Sequence, residues 1–256
     1  MNEVPSVEKG MAARQVDIMR SVEDDHWWYR ALRSQVLASI HSSSPHFALL
    51  DAGCGSGGML VRVREKFTEA NLTGIDWSER ALEVTEERKT GARLLRGSVD
   101  ALPFADAEFD VVLSLDVIVT RGVNERAAIS EMHRVLKSGG QLILNLAAFD
   151  FLRGSHDVAV NGVRRYTRPR LRRLLEEARF TIETFTYWNM TLLPAVAAVR
   201  WMSRSKSNAG ANVRSDLSPI WRPLDTVLAG LAQAELALSR HVPLPFGTSL
   251  FAVARK

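Results

Sequence analysis

A single cysteine, Cys54, excludes any disulfide within the chain and any four-cysteine zinc site, and no metal centre is expected. No apolar run approaches the ~18–20 residues that cross a bilayer. The best stretch, Leu192 to Val199, contains Pro194 and ends at Arg200. Glu3, Glu8 and Lys9 stand at the start with no apolar segment beside them, which argues against a secretory signal. The expectation is a soluble, cytoplasmic protein without a membrane span. Lysine is also scarce, at six of 33 basic residues. With 46% hydrophobic and 24% charged residues, the remaining composition is that of a globular chain, which excludes wholesale disorder and collagen-like repeats.

Arginine takes the place of lysine, and it suits bidentate contacts with carboxylate or phosphate. Arg164, Arg165, Arg168, Arg170, Arg172 and Arg173 fall within ten residues, with no acid among them. Two readings stand for this cluster, a solvated helix face or a phosphate or nucleic-acid contact.

The first forty residues read as helical, with Trp28, Leu32, Val36 and Ile40 on one face. After Ser42–Pro45, buried strands begin near Phe47, Asn71, Ala92, Phe109 and Gln141. Helices over Met59–Ala70, Ser78–Arg88 and Glu125–Leu136 alternate with them, and Lys137–Gly140 reads as a break. This alternation predicts an α/β fold with a doubly wound, mostly parallel sheet covered on both faces. A helix from Pro169 to Arg179 and a strand from Thr181 to Trp188 follow. Helix candidates at Leu192–Met202 and Pro223–Ser239 flank a polar stretch, Ser203–Ser218, and Ser249–Ala254 closes the chain as a seventh strand beside Thr181–Trp188. The expected division is an N-terminal helical cap over 1–44, a core over 45–189, a helical insertion or lid over 190–246 and a final core strand over 247–256.

Asp51-Ala52-Gly53-Cys54-Gly55-Ser56-Gly57 joins a buried strand to a helix. Glycines there admit a ligand close to the backbone, and a helix N-terminus favours a polar or anionic group. Asp51 stands directly before the turn. Asp76, 19 residues beyond Gly57 at a strand end, can accept both hydroxyls of a ribose, or can cap the next helix with Ser78. Cys54 has no basic neighbour and reads as a small buried residue.

These residues resemble the S-adenosylmethionine-dependent methyltransferases of the Rossmann-like class over roughly Leu49 to Leu146. The resemblance implies a seven-stranded Rossmann-like sheet and S-adenosylmethionine as cofactor, with S-adenosylhomocysteine as product. It assigns Asp51, Gly53 and Gly55 to the cofactor's methionine and ribose, Asp76 to the ribose and Trp77 to the adenine. Arg96–Phe104 is similar to the family's adenine-contacting segment, which brings in Ser98, where the family often has aspartate, and Val99. Phe109–Val112 and Arg134–Gly140 also match, with Ser138 where proline is usual. Asp116-Val117-Ile118-Val119-Thr120 replaces the family's common Leu-Glu-His ending, so Asp116 alone is carried over to the cofactor edge.

His26-Trp27-Trp28-Tyr29-Arg30 resembles a segment of a bacterial subgroup acting on small molecules, in which it roofs the cofactor. An aromatic face stabilises a sulfonium cation by ~0.5–2 kcal/mol, and anchoring the helix on the core is the alternative role for both tryptophans. Arg33 is placed either at the methionine carboxylate or in a salt bridge. His156, after the fifth strand, is the candidate catalytic residue, as a general base toward an acceptor or merely as a partner of Asp157. Arg164, Arg165, Tyr166, Tyr187 and Asn189 match further segments of the subgroup and are the candidate substrate contacts.

The resulting expectation is methyl transfer to an O, N or C atom of a small molecule, apolar or phosphorylated, in bacterial natural-product biosynthesis. An isoprenoid or lipid-linked diphosphate acceptor is the alternative that the arginines and the apolar insertion suggest. A nucleic-acid methyltransferase has only the sequence pI of about 9.5 in its favour, so no nucleic-acid partner is expected. A non-catalytic cofactor-binding protein is the remaining class.

Overall fold

The computed structural model describes residues 13–205, 221–239 and 241–256, so the earliest residues and most of the polar stretch Ser203–Ser218 lie outside the described residues. Seven strands form one sheet in the order β3-β2-β1-β4-β5-β7-β6. They are β1 (Ala48–Ala52), β2 (Asn71–Asp76), β3 (Arg93–Arg96), β4 (Phe109–Leu115), β5 (Leu136–Ala147), β6 (Thr181–Trp188) and β7 (Ser249–Arg255). β1 through β5 pair in parallel, and β7 runs antiparallel to both β5 and β6.

The central strand β4 and the second half of β5 are near-continuous apolar runs because both their faces are covered. One face buries Leu50, Val112, Leu142 and Leu144 with α5 (Glu125–Val135) and α7 (Arg168–Glu177). The other buries Leu49, Val111, Leu113 and Ile143 with α2 (Trp27–Ser39), α3 (Gly58–Lys66) and α9 (Arg222–Ser239). The order reverses between β1 and β4, which opens a crevice beyond the carboxyl ends of the strands.

The expected N-terminal helices are α1 (Ala13–Val22) and α2, separated where Glu23 and Asp24 turn into an ion-pair cluster. One expectation is corrected. Lys137–Gly140 does not end pairing but lies within β5, bulging opposite Asp110, because the register steps from Phe109↔Leu136 to Val111↔Gln141. Lys137 Nζ donates to Asp110 at 2.7 Å across that bulge, and Gly139 N donates to Lys256 O at 3.0 Å.

α8 (Leu193–Ser205) and α9 lie between β6 and β7 in sequence. Glu235 of α9 is buried and accepts from the backbone N of Met190 and Thr191 at 2.9 and 3.0 Å, which fixes the approach to α8. Asp225 accepts from Trp27 N at 2.8 Å and from Arg30 at 2.6 Å, which ties α9 to the start of α2.

Candidate active site

The turn after β1 is held by Gly53 N and Cys54 N, which donate to Ile75 O at 2.8 and 3.0 Å. Gly53 has φ +98°, and a Cβ there would sit 2.3 Å from Val117 Cγ2, so only glycine fits this turn. Asp76, at the end of β2, accepts from Gly55 N through Oδ2 and from Ser78 N through Oδ1, both at 2.9 Å. Ser78 itself caps α4 (Glu79–Glu87) by accepting from Ala81 N. Asp76 therefore orders the glycine turn and the helix start together, accepts from the Trp77 backbone as well, and keeps acceptor capacity for one further donor.

β4 ends at Asp116 and β6 at Asn189, both with φ 58°, a left-handed bend that Asp and Asn tolerate. Asp116 Oδ2 accepts from Asn145 Nδ2 at 2.7 Å, and Asn145 Oδ1 in turn accepts from Trp188 Nε1 at 2.8 Å. Trp188 stacks on Trp28, with ring centroids 5.5 Å apart, and Tyr29 meets Trp28 edge-on at 5.1 Å.

These strand ends enclose one cavity of about 630 Å³. It brings together Trp28, Tyr29, Arg33, Asp51, Gly53, Gly55, Asp76, Trp77, Ser98, Val99 and Asp116 with His156, Arg165 and Asn189. Trp77 is partly exposed, with the Arg96 guanidinium 5.9 Å from its ring. Ser98 donates to Asp100, so its hydroxyl is already engaged. Cys54 is buried, and burial drives its thiol well above the usual range, as a structural residue requires.

Three candidate substrate contacts stand outside this lining. Arg164 donates to Ile118 O and Val123 O at 3.0 and 2.8 Å. Tyr166 is fully buried, with its hydroxyl on Glu125. Tyr187 is buried against Phe149 with its hydroxyl accepting from Arg168 N at 2.8 Å. All three brace the loop between β5 and α7, and Arg164 also borders a separate surface pocket with Val123 and Glu125. The arginine cluster is likewise not a free cationic face: Arg165 pairs with Asp157, Arg168 donates to Phe185 O and Arg170 pairs with Glu125.

Sequence reasoning missed Glu23 and the far wall. Glu23 is buried at the cavity, accepts from Ser56 Oγ at 2.6 Å, and pairs with Arg88 and with Arg33 at 3.3 Å. Met19 of α1 joins the lining, as do Ala195, Val196, Val199 and Arg200 of α8 and Leu228 of α9. The apolar periodicity of the insertion was visible in sequence, but its docking partner was not.

Residues 50–144 match the family model of the methyltransferase domain. The chain is thus similar to a methyltransferase domain over these residues. Over 112 residues it is 31% identical to the malonyl-(acyl-carrier protein) O-methyltransferase of Serratia marcescens, covering 44% of this chain and 43% of that protein. It is 35% identical over 100 residues to the demethylmenaquinone methyltransferase of Listeria monocytogenes, covering 37% of this chain and 42% of that protein. The chain thus spans less than half the length of these curated relatives. Among solved structures, geranyl diphosphate C-methyltransferase from Streptomyces coelicolor A3(2) superposes with a TM-score of 0.59 at 15% identity, over 88% of this chain and 78% of that one. That likeness establishes the shared fold.

The methyltransferase domain implies S-adenosylmethionine, and the lining suits it. The glycine turn leaves backbone open to a ligand, Asp76 keeps acceptor capacity, and Arg33 Nη1 is buried without a hydrogen-bond partner beside the N-terminus of α3. Negative charge dominates the cavity floor. Burial, reinforced by the charges of Asp76 and Glu23, pushes the Asp51 carboxyl up to about 7. Burial pushes Asp116 up to about 7 as well, against the opposing Asn145 hydrogen bond and Arg165 charge.

A pH dependence follows. A sulfonium cation in the cavity favours both carboxylates ionised, so its binding must expel protons below pH 7 and need not above it. Affinity for S-adenosylmethionine relative to the uncharged sulfur of S-adenosylhomocysteine is expected to rise from pH 6 to pH 8, by up to about tenfold for each carboxyl whose pKa the cation lowers by a unit or more. Calorimetry of both ligands at the two pH values checks this, and a flat ratio would show that neither carboxyl senses the sulfur's charge.

Proposed function

We propose that the protein transfers a methyl group from S-adenosylmethionine to an apolar small molecule. One observation carries this reading: a single cavity joins the glycine turn, Asp76 and Asp116 to an apolar wall made by α8 and α9. When bound, the cofactor supplies an electrophilic methyl on a sulfonium. The chain's own work is then positioning, which can account for ~7–11 kcal/mol of a barrier.

In this reading Asp76 holds the ribose, Trp77, Ser98 and Val99 border the adenine, and Arg33 meets the methionine carboxylate. Trp28 and Tyr29 close the roof. His156 takes a proton from an acceptor hydroxyl or amine, and Asn189 borders the acceptor. The diphosphate alternative loses most of its motive, because Arg164, Arg165, Arg168 and Arg170 already satisfy groups of the protein. The same engagement speaks against a nucleic-acid substrate. A cytoplasmic setting and a place in natural-product biosynthesis fit this reading.

Asp76→Ala is expected to weaken S-adenosylhomocysteine binding by about tenfold or more, since a hydrogen bond to a charged group contributes ~1.5–3 kcal/mol. Calorimetry on a variant whose melting curve shows it folded is the check, and unchanged affinity would remove the ribose assignment. The acceptor class is tested with methyl-labelled cofactor and a panel of long-chain quinols, phenols and isoprenoid diphosphates. Label in the quinol or phenol product supports the reading. Cofactor binding with no transfer to any class would favour a non-catalytic binder.

A further inference from the structure

The insertion between β6 and β7 leaves apolar side chains in solvent. On α9, Leu224, Val227, Leu231 and Leu238 are between 44% and 58% exposed. Their spacing of three, four and seven places them on one stripe, beside the face that buries Ala232 and Leu236. Trp201 of α8 and Trp221 before α9 are exposed as well, at 73% and 75%. Isolated exposed apolar residues are ordinary, whereas four on one helix face headed by an exposed tryptophan mark an interaction site.

This stripe adjoins the mouth of the cavity. Leu228 stands one turn from both Leu224 and Leu231 and lines the cavity, as do Ala195 and Val199, which remain exposed at its rim. The sequence of the insertion is basic, although Arg200 is buried. Residues 190–246 hold six Arg and Lys against three acids. Of those acids, Asp225 is paired with Arg30 and Glu235 is buried on backbone N–H groups. Arg222 is exposed at the head of α9. Yet no described helix is long and apolar enough to cross a membrane.

We propose that α8 and α9 dock this face on an anionic lipid surface, so that the apolar acceptor enters the cavity from the acyl layer. An apolar stripe and exposed tryptophans in a segment of basic sequence, with Arg222 exposed at its head, suit the headgroup boundary. A second copy of the chain suits it less, because it would oppose like charges and seal the cavity mouth. The docking stands on the surface itself, while the entry of the acceptor rests on the function proposed above.

The test is flotation of the full chain with vesicles of phosphatidylcholine alone or mixed with phosphatidylglycerol. Binding should favour the anionic vesicles by about tenfold or more and weaken with salt. L224S/V227S/L231S should lower that binding by about tenfold or more while S-adenosylhomocysteine affinity stays unchanged. With an acceptor identified, the same variant should methylate it more slowly when it is held in vesicles, and at the normal rate when it is dispersed in detergent. Absent flotation, or equal flotation of both proteins, overturns the docking. So does a dimer that the triple variant dissolves without any vesicle binding. A chain that floats but binds no cofactor overturns the proposed function and the acceptor's entry, and leaves the docking in place.

Discussion

His156→Ala is expected to keep cofactor binding and to lose turnover by ~10²–10⁴-fold, the usual contribution of a positioned general base. His156 sits in α6 (Ser155–Ala159), just beyond the end of β5, and lines the cavity beneath α8. Its neighbour Asp157 is fully engaged: Oδ1 and Oδ2 accept from Arg165 Nε and Nη2 at 2.8 and 3.1 Å, and Oδ2 also accepts from Gly154 N at 2.8 Å. Asp157 thus anchors the short helix, and a melting curve of the alanine variant separates a structural loss from a chemical one. Rates should be measured at saturating acceptor over a pH series. Loss of an ionisation from the pH–rate profile together with turnover identifies the base. Full activity in the alanine variant would leave His156 a lining residue only.

Arg165→Met should be the most damaging substitution for stability. Arg165 and Asp157 are both buried, and Arg165 also donates to Ala148 O at 2.8 Å. Removing one partner of a buried pair costs about 3–5 kcal/mol, because the other charge stays buried alone. The double variant Arg165→Met/Asp157→Asn should recover part of that loss. Burial raises the Asp157 pKa, but the Arg165 hydrogen bonds and charge outweigh it and hold the carboxyl below its usual range. The stabilisation is therefore present above the unfolded carboxylate pKa of about 3.9 and fades as pH falls through the lower folded value. Denaturant melts at neutral and acid pH check this. An equal penalty in strong acid would assign the effect to packing of the arginine stem.

The parts of this site that were readable in sequence are those whose geometry is local. Asp51 through Gly57 must make a strand-to-helix turn wherever the chain goes, and Asp76 ends the next strand, so both reach the crevice by topology alone. Arg164, Tyr166 and Tyr187 were placed by likeness of segment, while their neighbours come from distant parts of the chain. Tyr166 meets Glu125, 41 positions away in sequence, and Tyr187 meets Phe149. Glu23 was invisible for the same reason, since Ser56 and Arg88 find it only when α1 folds back over the glycine turn. Lys137–Gly140 looked like a terminator because glycine and serine usually end pairing. Its bulge is held from a distance by Asp110 and Lys256.

β7 lies between β5 and β6 and is the only strand in the sheet that β6 pairs with. During synthesis, the chain must therefore expose the β5 edge and a solitary β6 until residues 249–255 emerge. Meanwhile α8 and α9, with their apolar stripe, are already made. The last strand acts as a late keystone: a chain stopped before Ser249 would lack two strands' worth of pairing rather than one, with Leu142, Leu144 and Phe185 left open to unwanted β partners.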